Sequence, residues 1–402
     1  MEFLEEHLGA NRAVLALSIG RMGDAIGNSI VFTIVPIFIA QLPHPLISLP
    51  SVVLSGILLS LFGFANAAMQ PFAGAFIDRL NRRKPFVLAG LIVLFGATLG
   101  YVFAGTYTEL LVMRAFQGFG VALAIPATLA ILTNATEKSS RGGSMGVFST
   151  SRVTGLAIGP LIGGFLYDNY GFNTAFYVGA GFVLLGVVAV QLWVQEVRAP
   201  DKEQDGQRPF RLIDTKLLTA EFLGLGWATF VMASSFSMIT PLENQFNQRL
   251  QQGALAFGAA FSALMVTRIL TQIPLGRLTD ERGRKLMIVA GLLLMALSTA
   301  PMGLVRQTWQ LVLLRVFQGL ASAGIAAPAF ALAGDLSQAG GEGRQMSVIT
   351  MGFVLGLSFG TLIAGILAVY WLELPFILGG ALSLLGAWVV YRFVPETVEQ
   401  TG

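Results

Sequence analysis

Long apolar stretches separated by short polar breaks recur along the whole chain. Each is about 20 residues or longer, the length that a helix needs to cross a hydrocarbon layer of roughly 30 Å. Hydrophobic patterning gives twelve such runs. They lie near residues 13–40, 51–76, 85–104, 110–133, 144–167, 173–194, 216–240, 255–276, 286–305, 309–332, 346–370 and 374–394. The pattern predicts an all-α membrane protein with twelve transmembrane helices.

Composition excludes a soluble fold. The 402 residues would suggest two or three soluble domains by length, but 54% of them are apolar and only 12% are charged. The absence of cysteine excludes disulfides, thiol catalysis and Cys-ligated metals. The sequence contains no G-x-x-x-x-G-K-[ST] phosphate loop and no Ser/His/Asp or metal-ligand cluster. We therefore expect no enzyme, no ATP-driven pump, no cofactor and no metal site.

Basic residues predict the orientation in the membrane. With the N-terminus inside, 18 of the 25 Lys and Arg residues fall in cytoplasmic loops, and only Arg249 and Arg306 fall in outer loops. This bias places both termini in the cytoplasm and explains the net charge of +3 without a nucleic-acid partner. The first apolar run is too long for a cleavable signal, which suits a bacterial inner membrane. We expect a monomer in the lipid bilayer.

The longest polar stretch divides the twelve spans six and six. It lies at residues 196–215 and is rich in charge, Pro and Gly, which indicates a cytoplasmic linker. The predicted organisation is an N-terminal six-helix bundle (1–195), this linker, and a C-terminal six-helix bundle (216–402).

The two halves repeat each other at a spacing of about 201 residues. LLVMRAFQGFG in the fourth span, with Arg114 and Gln117, matches LVLLRVFQGLA in the tenth, with Arg315 and Gln318. GAFIDRLNRRK after the second span matches GRLTDERGRK after the eighth. Duplicated halves in the same orientation are common in secondary transporters.

At these loops the chain resembles the major facilitator superfamily, whose signature is G-x-L-x-D-R-x-G-R-K/R. The second copy matches closely, whereas the first has Phe76 for Leu and Asn81 for the turn Gly. The resemblance implies two pseudo-symmetric six-helix bundles, with the loops as a conformational latch on the cytoplasmic side. The latch residues would be Gly74, Asp78, Arg82, Gly276, Asp280 and Arg284. The alternative is that these loops only carry positive-inside charge.

A narrower resemblance lies in the fifth span. GLAIGPLIGG reproduces the G-x-x-x-G-P-x-x-G-G pattern of the twelve-span drug:proton antiporters, through Gly155, Gly159, Pro160, Gly163 and Gly164. Glycines four apart allow another helix to pack closely, and proline adds a kink. The resemblance implies proton-driven export of small amphiphiles, although plain helix packing needs small residues too.

Ionisable groups inside spans are costly and are functional candidates. Asp24 is the one carboxylate well inside a predicted span, with Arg21 and Asn28 one turn away on the same helical face. This arrangement predicts a proton carrier, or else a permanent Arg21–Asp24 pair that orders the first helix. The family resemblance adds Arg114 as a partner in proton transfer.

We expect several other polar or aromatic side chains to line a substrate cavity. They are Asn28, Asn66, Gln117, Arg152, Trp227, Arg268, Gln272, Arg315 and Gln318. Five arginines inside spans against one carboxylate would favour anionic or zwitterionic cargo, unless some of them snorkel or bond to backbone carbonyls. Glu221 is a candidate second titrating site, helix cap or partner of nearby cytoplasmic basic residues, and we favour a structural role. We place Glu243 at the outer rim, with a gate residue as the alternative.

These features predict a proton-coupled exporter of small amphiphilic molecules that works by alternating access. Two alternatives on the same fold stay open. One is a lipid or lysolipid flippase, and the other is a proton-coupled transporter of an organic anion.

Overall fold

A computed structural model describes residues 11–42, 49–80, 82–136, 141–196, 219–336 and 342–397. In these ranges the chain forms twelve long helices and no β-strand. They are α1 (Arg12–Ile39), α2 (Ser51–Leu80), α3 (Lys84–Gly100), α4 (Tyr107–Ala135), α5 (Arg141–Tyr170), α6 (Phe172–Trp193), α7 (Ala220–Ser237), α8 (Ala254–Arg282), α9 (Arg284–Thr299), α10 (Thr308–Leu336), α11 (Glu342–Leu367) and α12 (Leu374–Phe393). The predicted all-α fold is confirmed.

Among the described residues, eleven of these helices are long and apolar enough to cross a membrane. The remaining one is α5, whose first half is rich in Gly, Ser and Thr and carries Arg152. These residues make α5 less apolar than its neighbours, but they allow close helix packing. It coincides with the fifth predicted span.

The seventh predicted span is not one continuous helix. After α7 ends at Ser237, a 3-10 turn at Thr240–Leu242 leads into a short helix at Glu243–Leu250. Pro241 has no N–H, so the carbonyl of Ser237 loses its helical donor. The Thr240 hydroxyl donates to that carbonyl at 2.6 Å. The seventh predicted span, near 216–240, therefore corresponds to α7 and this turn, and the candidate span continues through the short helix to Leu250.

Helix packing repeats between the first and second sets of six helices. In the first set α3 packs against α4 and α6, and in the second set α9 packs against α10 and α12. Each packed pair in the second set consists of the helices that stand six places later in the chain than those of the matching pair in the first set. The sequence repeat is therefore also a repeat of packing.

The described residues form two compact units, and the division between them cuts through two helices. Residues 1–34 and 64–213 supply the first unit, and residues 35–63 and 214–402 supply the second. The first part of α2, up to residue 63, joins the second unit, where Gly56 lies against Gly365 of α11: a Cβ on Gly56 would be 3.1 Å from the Gly365 Cα. In α1 the division falls at Ile34 and Val35, directly before Pro36. The predicted linker lies outside the described residues from 197 onward, so the predicted domain bounds stay a prediction.

Candidate functional site

The polar face of α1 carries a buried ion pair. Arg21 Nη1 donates to Asp24 Oδ2 at 2.6 Å, and their side chains are only 13% and 8% exposed. The other carboxylate oxygen, Asp24 Oδ1, is buried and has no hydrogen-bond partner among the described residues. Because a buried carboxylate oxygen normally accepts a hydrogen bond, this oxygen is available to a proton or to a water molecule.

Arg114 on α4 is completely buried and ties α4 to α1 and α3. Its Nη1 donates to Asn28 Oδ1 at 2.6 Å and to Gln117 Oε1 at 2.9 Å. Gln117 in turn donates through Nε2 to Thr98 Oγ1 of α3 at 3.1 Å. The guanidinium also lies 5.2 Å from the centre of the Phe32 ring, within cation–π range.

The Arg114 cluster and the Arg21–Asp24 pair form one electrostatic network. The guanidinium of Arg114 lies close enough to interact electrostatically with both Asp24 and the buried Tyr101. Asn28 stands one turn after Asp24 on α1 and accepts from Arg114, so it links the two. Five predicted site residues are therefore brought together in the first unit, namely Arg21, Asp24, Asn28, Arg114 and Gln117.

The second unit repeats the arginine cluster. Arg315 on α10 is buried, and its Nη1 donates to Gln318 Oε1 at 2.8 Å. Gln318 donates to Thr299 Oγ1 of α9 at 2.8 Å. The guanidinium lies 5.0 Å from the centre of the Phe261 ring. Sequence analysis identified the Arg and Gln pairs but missed Thr98 and Thr299, although these also stand 201 residues apart.

The two arginine clusters differ in the hydrogen-bond acceptor that the first helix of each set, α1 or α7, supplies to the arginine. Arg114 bonds to the Asn28 side chain, which can rotate away, whereas Arg315 Nη1 donates to the backbone carbonyl of Phe236 at 2.9 Å. Phe236 lies in the last turn of α7, just before the chain leaves the helix. Arg315 therefore braces the broken end of α7, while the first-unit cluster connects to an ionisable pair.

The glycine stripe of α5 packs against the helix that carries Asp24. A Cβ on Gly155 would lie 2.6 Å from the Met22 carbonyl oxygen, and one on Gly159 would lie 3.0 Å from Ile26 Cα. A Cβ on Gly163 would lie 3.0 Å from Ile30 Cγ1. At Gly155 a Cβ would overlap the backbone of α1, so this close contact requires glycine there. Pro160 and Gly164 are buried in the same part of α5.

The equivalent stripe of the second unit packs α11 against α7. Cβ atoms on Gly352 and Gly356 would each lie 2.3 Å from a backbone carbonyl of α7, and one on Gly360 would lie 2.6 Å from the Ser234 carbonyl. Thr361 follows where α5 has proline. Both units therefore use glycine to bring the same helix pair together.

The predicted latch loops are fastened to the ends of α6 and α12. Glu196 Oε1 accepts from the Arg83 and Lys84 amides at 2.7 and 3.3 Å. Glu396 accepts from the Arg284 and Lys285 amides at 3.0 and 2.9 Å. Sequence analysis missed these two acids, although each follows a span and they lie 200 residues apart.

Other latch residues give a mixed result. Arg284 Nη1 also donates to Asp335 Oδ2, and the turn glycine of the second loop, Gly283, has a φ of 101°. Arg82 is exposed, and a Cβ on Gly74 or Gly276 would meet no atom within 4 Å. The side chains of Asp78 and Asp280, and Asn81 altogether, lie outside what the structure describes. The latch stays a prediction.

The remaining predicted cavity residues differ in how far they are buried. In the first unit Asn66 is buried, with Oδ1 lacking a partner among the described residues, and Arg152 is half-buried. In the second unit Arg268 is half-buried and Gln272 is exposed. Trp227 stacks on Phe230 with ring centres 5.3 Å apart, and Phe230 lies 6.2 Å from Phe359.

The two glutamates of the seventh span differ from each other. Glu221 lies in the first turn of α7, where it interacts with the Thr219 side chain, as expected of a helix start. Glu243 is completely buried, so the predicted rim position is wrong. The reason is the turn after α7, which places Glu243 between buried Leu242 and Phe246 instead of at the end of a straight helix.

Eleven long apolar helices among the described residues, with buried arginines and a buried carboxylate inside them, indicate an integral membrane protein with a polar site in its interior. Residues 17–247 and 225–402 match the sequence profile of the Major Facilitator Superfamily, and the chain belongs to this family. It is therefore a secondary transporter with the twelve-helix fold of that superfamily.

Known relatives agree with this assignment. The chain is 26% identical over 309 residues to multidrug resistance protein MdtG of Escherichia fergusonii, over 73% of this chain and 72% of the relative. It is 29% identical over 271 residues to MdtG of Serratia proteamaculans, over 66% of each chain.

Solved structures share the fold. A bacterial homolog to the human lysosomal transporter Spinster, inward-facing and occupied, has a TM-score of 0.77 at 14% identity, over 94% of this chain and 95% of that chain. A D-xylose-proton symporter has a TM-score of 0.76 at 14% identity, over 96% of this chain and 98% of that chain. At this identity the likeness concerns the fold alone.

Proposed function

We propose that this protein is a proton-coupled exporter of small amphiphilic molecules that works by alternating access in a bacterial inner membrane, with both termini in the cytoplasm. The observation that carries the proposal is the half-satisfied carboxylate of Asp24, which is buried, pairs with Arg21 and interacts electrostatically with Arg114. The multidrug resistance proteins named above support the choice of cargo class.

Asp24 supplies the negative charge that offsets two buried guanidinium groups. It pairs directly with Arg21 and interacts electrostatically with Arg114. Protonation removes that charge and leaves both arginines with neutral partners only in this network. Since buried charges without a counter-charge are costly, the protonated protein favours a different arrangement of α1.

The α5 glycine stripe supports this role for α1. Its Cβ-free surface lies directly against Met22 and Ile26, which flank Asp24 in the helix. A shift of α1 therefore acts on α5 directly, because only the short side chains of Ala25 and Ser29 lie beside the backbone at Gly155 and Gly159. Protonation at Asp24 and the packing of the antiporter-like helix are in this way coupled.

The energy available from protons is sufficient for export. One proton provides about 2.3 kcal/mol per 100 mV of membrane potential, and about 1.4 kcal/mol per pH unit. A gradient of roughly 3 kcal/mol sustains a concentration ratio on the order of a hundredfold at one proton per cargo molecule.

The test measures proton flux in proteoliposomes of wild type, Asp24→Asn and Glu373→Gln, challenged separately with a lipophilic cation, an anionic amphiphile and a lysolipid. Glu373 is a matched control, since it is a partly exposed carboxylate that pairs with Arg249 in the second unit. We expect a cargo-dependent proton signal that is lost only in Asp24→Asn.

Other outcomes would separate the alternatives. Cargo movement without a proton signal, equal in all three proteins, would refute proton coupling. If only the lysolipid moved, without a proton signal and equally in all three proteins, the protein would be a flippase. A response to the anionic amphiphile alone, with protons moving in the same direction as the cargo, would indicate an organic-anion transporter.

A further inference from the structure

A small cavity lies inside the first unit, beside the carboxylate of Asp24. Its volume is about 20 Å³, and it is formed where the starts of α1, α3 and α5 meet the ends of α4 and α6. In the proposed topology this is the cytoplasmic end of the bundle. The cavity therefore lies on the side to which an exporter must release its proton.

The lining of the cavity is apolar except for three side chains. Of the described residues that line it, only Arg21, Asp24 and Thr128 carry polar side chains, and the others include Leu91 and Phe148. A cavity needs roughly 10–15 Å³ and two or more polar partners to hold a water molecule. This cavity meets both requirements.

Two of the polar groups have unused hydrogen-bonding capacity. Asp24 Oδ1 is buried without a partner among the described residues. Thr128 is 5% exposed and makes no side-chain hydrogen bond within the described part of the chain. On the same helix Thr133 and Thr136 donate to the Ala130 and Leu132 carbonyls, which is the usual arrangement for a helical threonine. The hydroxyl of Thr128 is therefore free to bind a molecule in the cavity.

We infer that Thr128 and Asp24 Oδ1 together hold a water molecule in this cavity, and that Asp24 exchanges its proton with the cytoplasmic side through this water. The inference rests on the proposed role of Asp24 and adds a route within the first unit. In the step itself, the water oxygen accepts the proton from Asp24 Oδ1 as the O–H bond of the carboxylic acid breaks, and the hydronium ion so formed gives a proton to a water molecule on the cytoplasmic side. Thr128 is a positioning residue, since it orients the water without taking the proton.

The test is a stopped-flow pH jump on the purified full-length protein in detergent, with a pH indicator dye and no cargo. The uptake phase that is missing from Asp24→Asn belongs to Asp24. We expect Thr128→Val to slow this phase at least about tenfold without changing its amplitude, because proton transfer needs a positioned partner. We expect Thr128→Ser, which keeps the hydroxyl, to restore most of the rate.

Two further variants guard against effects on folding. Thr133→Val removes a hydroxyl from the same helix outside the cavity and should leave the rate unchanged. Val121→Ile adds a methyl group to the cavity lining, and we expect it to slow the phase by displacing the water. If Thr128→Val and Val121→Ile both show the wild-type rate while Asp24→Asn lacks the phase, this inference fails and the proposed function stands. If Asp24→Asn retains every uptake phase, both fail.

Discussion

Gln117 and Gln318 allow a matched test of whether the two arginine clusters have different roles. Each side chain accepts a hydrogen bond from an arginine and donates one to a threonine, with nearly equal distances in the two units. Methionine has a similar length and volume but cannot replace either bond. Gln117→Met and Gln318→Met therefore remove the same two contacts from each unit.

The expected cost can be worked out from these contacts. A hydrogen bond to a charged group contributes about 1.5–3 kcal/mol, and a neutral one contributes about 1 kcal/mol. Interhelical hydrogen bonds in membranes average nearer 0.6 kcal/mol in double-mutant cycles, which lowers the total. We expect each substitution to reduce the free energy of unfolding by about 2 kcal/mol, with no difference between units beyond about 0.5 kcal/mol.

Two assays then separate stability from coupling. Unfolding of the purified protein in mixed micelles of rising denaturing-detergent content gives the change in stability, and proton flux in proteoliposomes gives the coupling. We expect similar losses of stability in both variants but impaired proton flux in Gln117→Met only. The reason is that Arg114, the arginine bonded to Gln117, interacts electrostatically with Asp24. Equal impairment of flux by both substitutions, or impairment by Gln318→Met alone, would refute the assignment of proton coupling to the first unit.

Three further predictions concern packing and helix ends. Glu396→Gln weakens two bonds to the first amides of α9, and we expect a stability loss of about 1–3 kcal/mol in the same unfolding assay. Gly159→Val forces α5 away from α1 and should abolish transport, whereas Gly146→Val on the same helix, where a Cβ meets nothing within 4 Å, should retain it in a cargo-efflux assay. Thr240→Val leaves the Ser237 carbonyl without its donor and should cost about 1 kcal/mol, which an unchanged unfolding curve would contradict.

Hydropathy was sufficient to predict the helices, and the internal repeat singled out Arg114 and Arg315 as equivalent charged residues inside spans. Apolar length alone identifies a span, and Arg114 and Arg315 stand out because charged groups are rare there. The partners of these arginines could not be chosen in the same way. Thr98 and Thr299 lie on other helices, and a threonine inside a span is common and usually bonds to its own backbone.

The broken seventh span shows a second limit of sequence reasoning. Pro241 was visible in the sequence, but proline inside a membrane helix often causes only a kink. Here the chain leaves the helix because Thr240 and Arg315 supply donors for the freed carbonyls. Only three-dimensional contacts reveal those donors, so the burial of Glu243 could not be predicted either.

The division of α1 between the two units has a mechanical consequence. The helix carries Asp24 and Asn28 in the first unit and continues past Ile34 into the second without a break in its secondary structure. Pro36 deprives the carbonyl of Phe32 of its helical donor, so the joint lies one turn beyond the ring under Arg114. Because α1 is continuous but lacks this one backbone hydrogen bond, the helix can bend at Pro36 without unwinding.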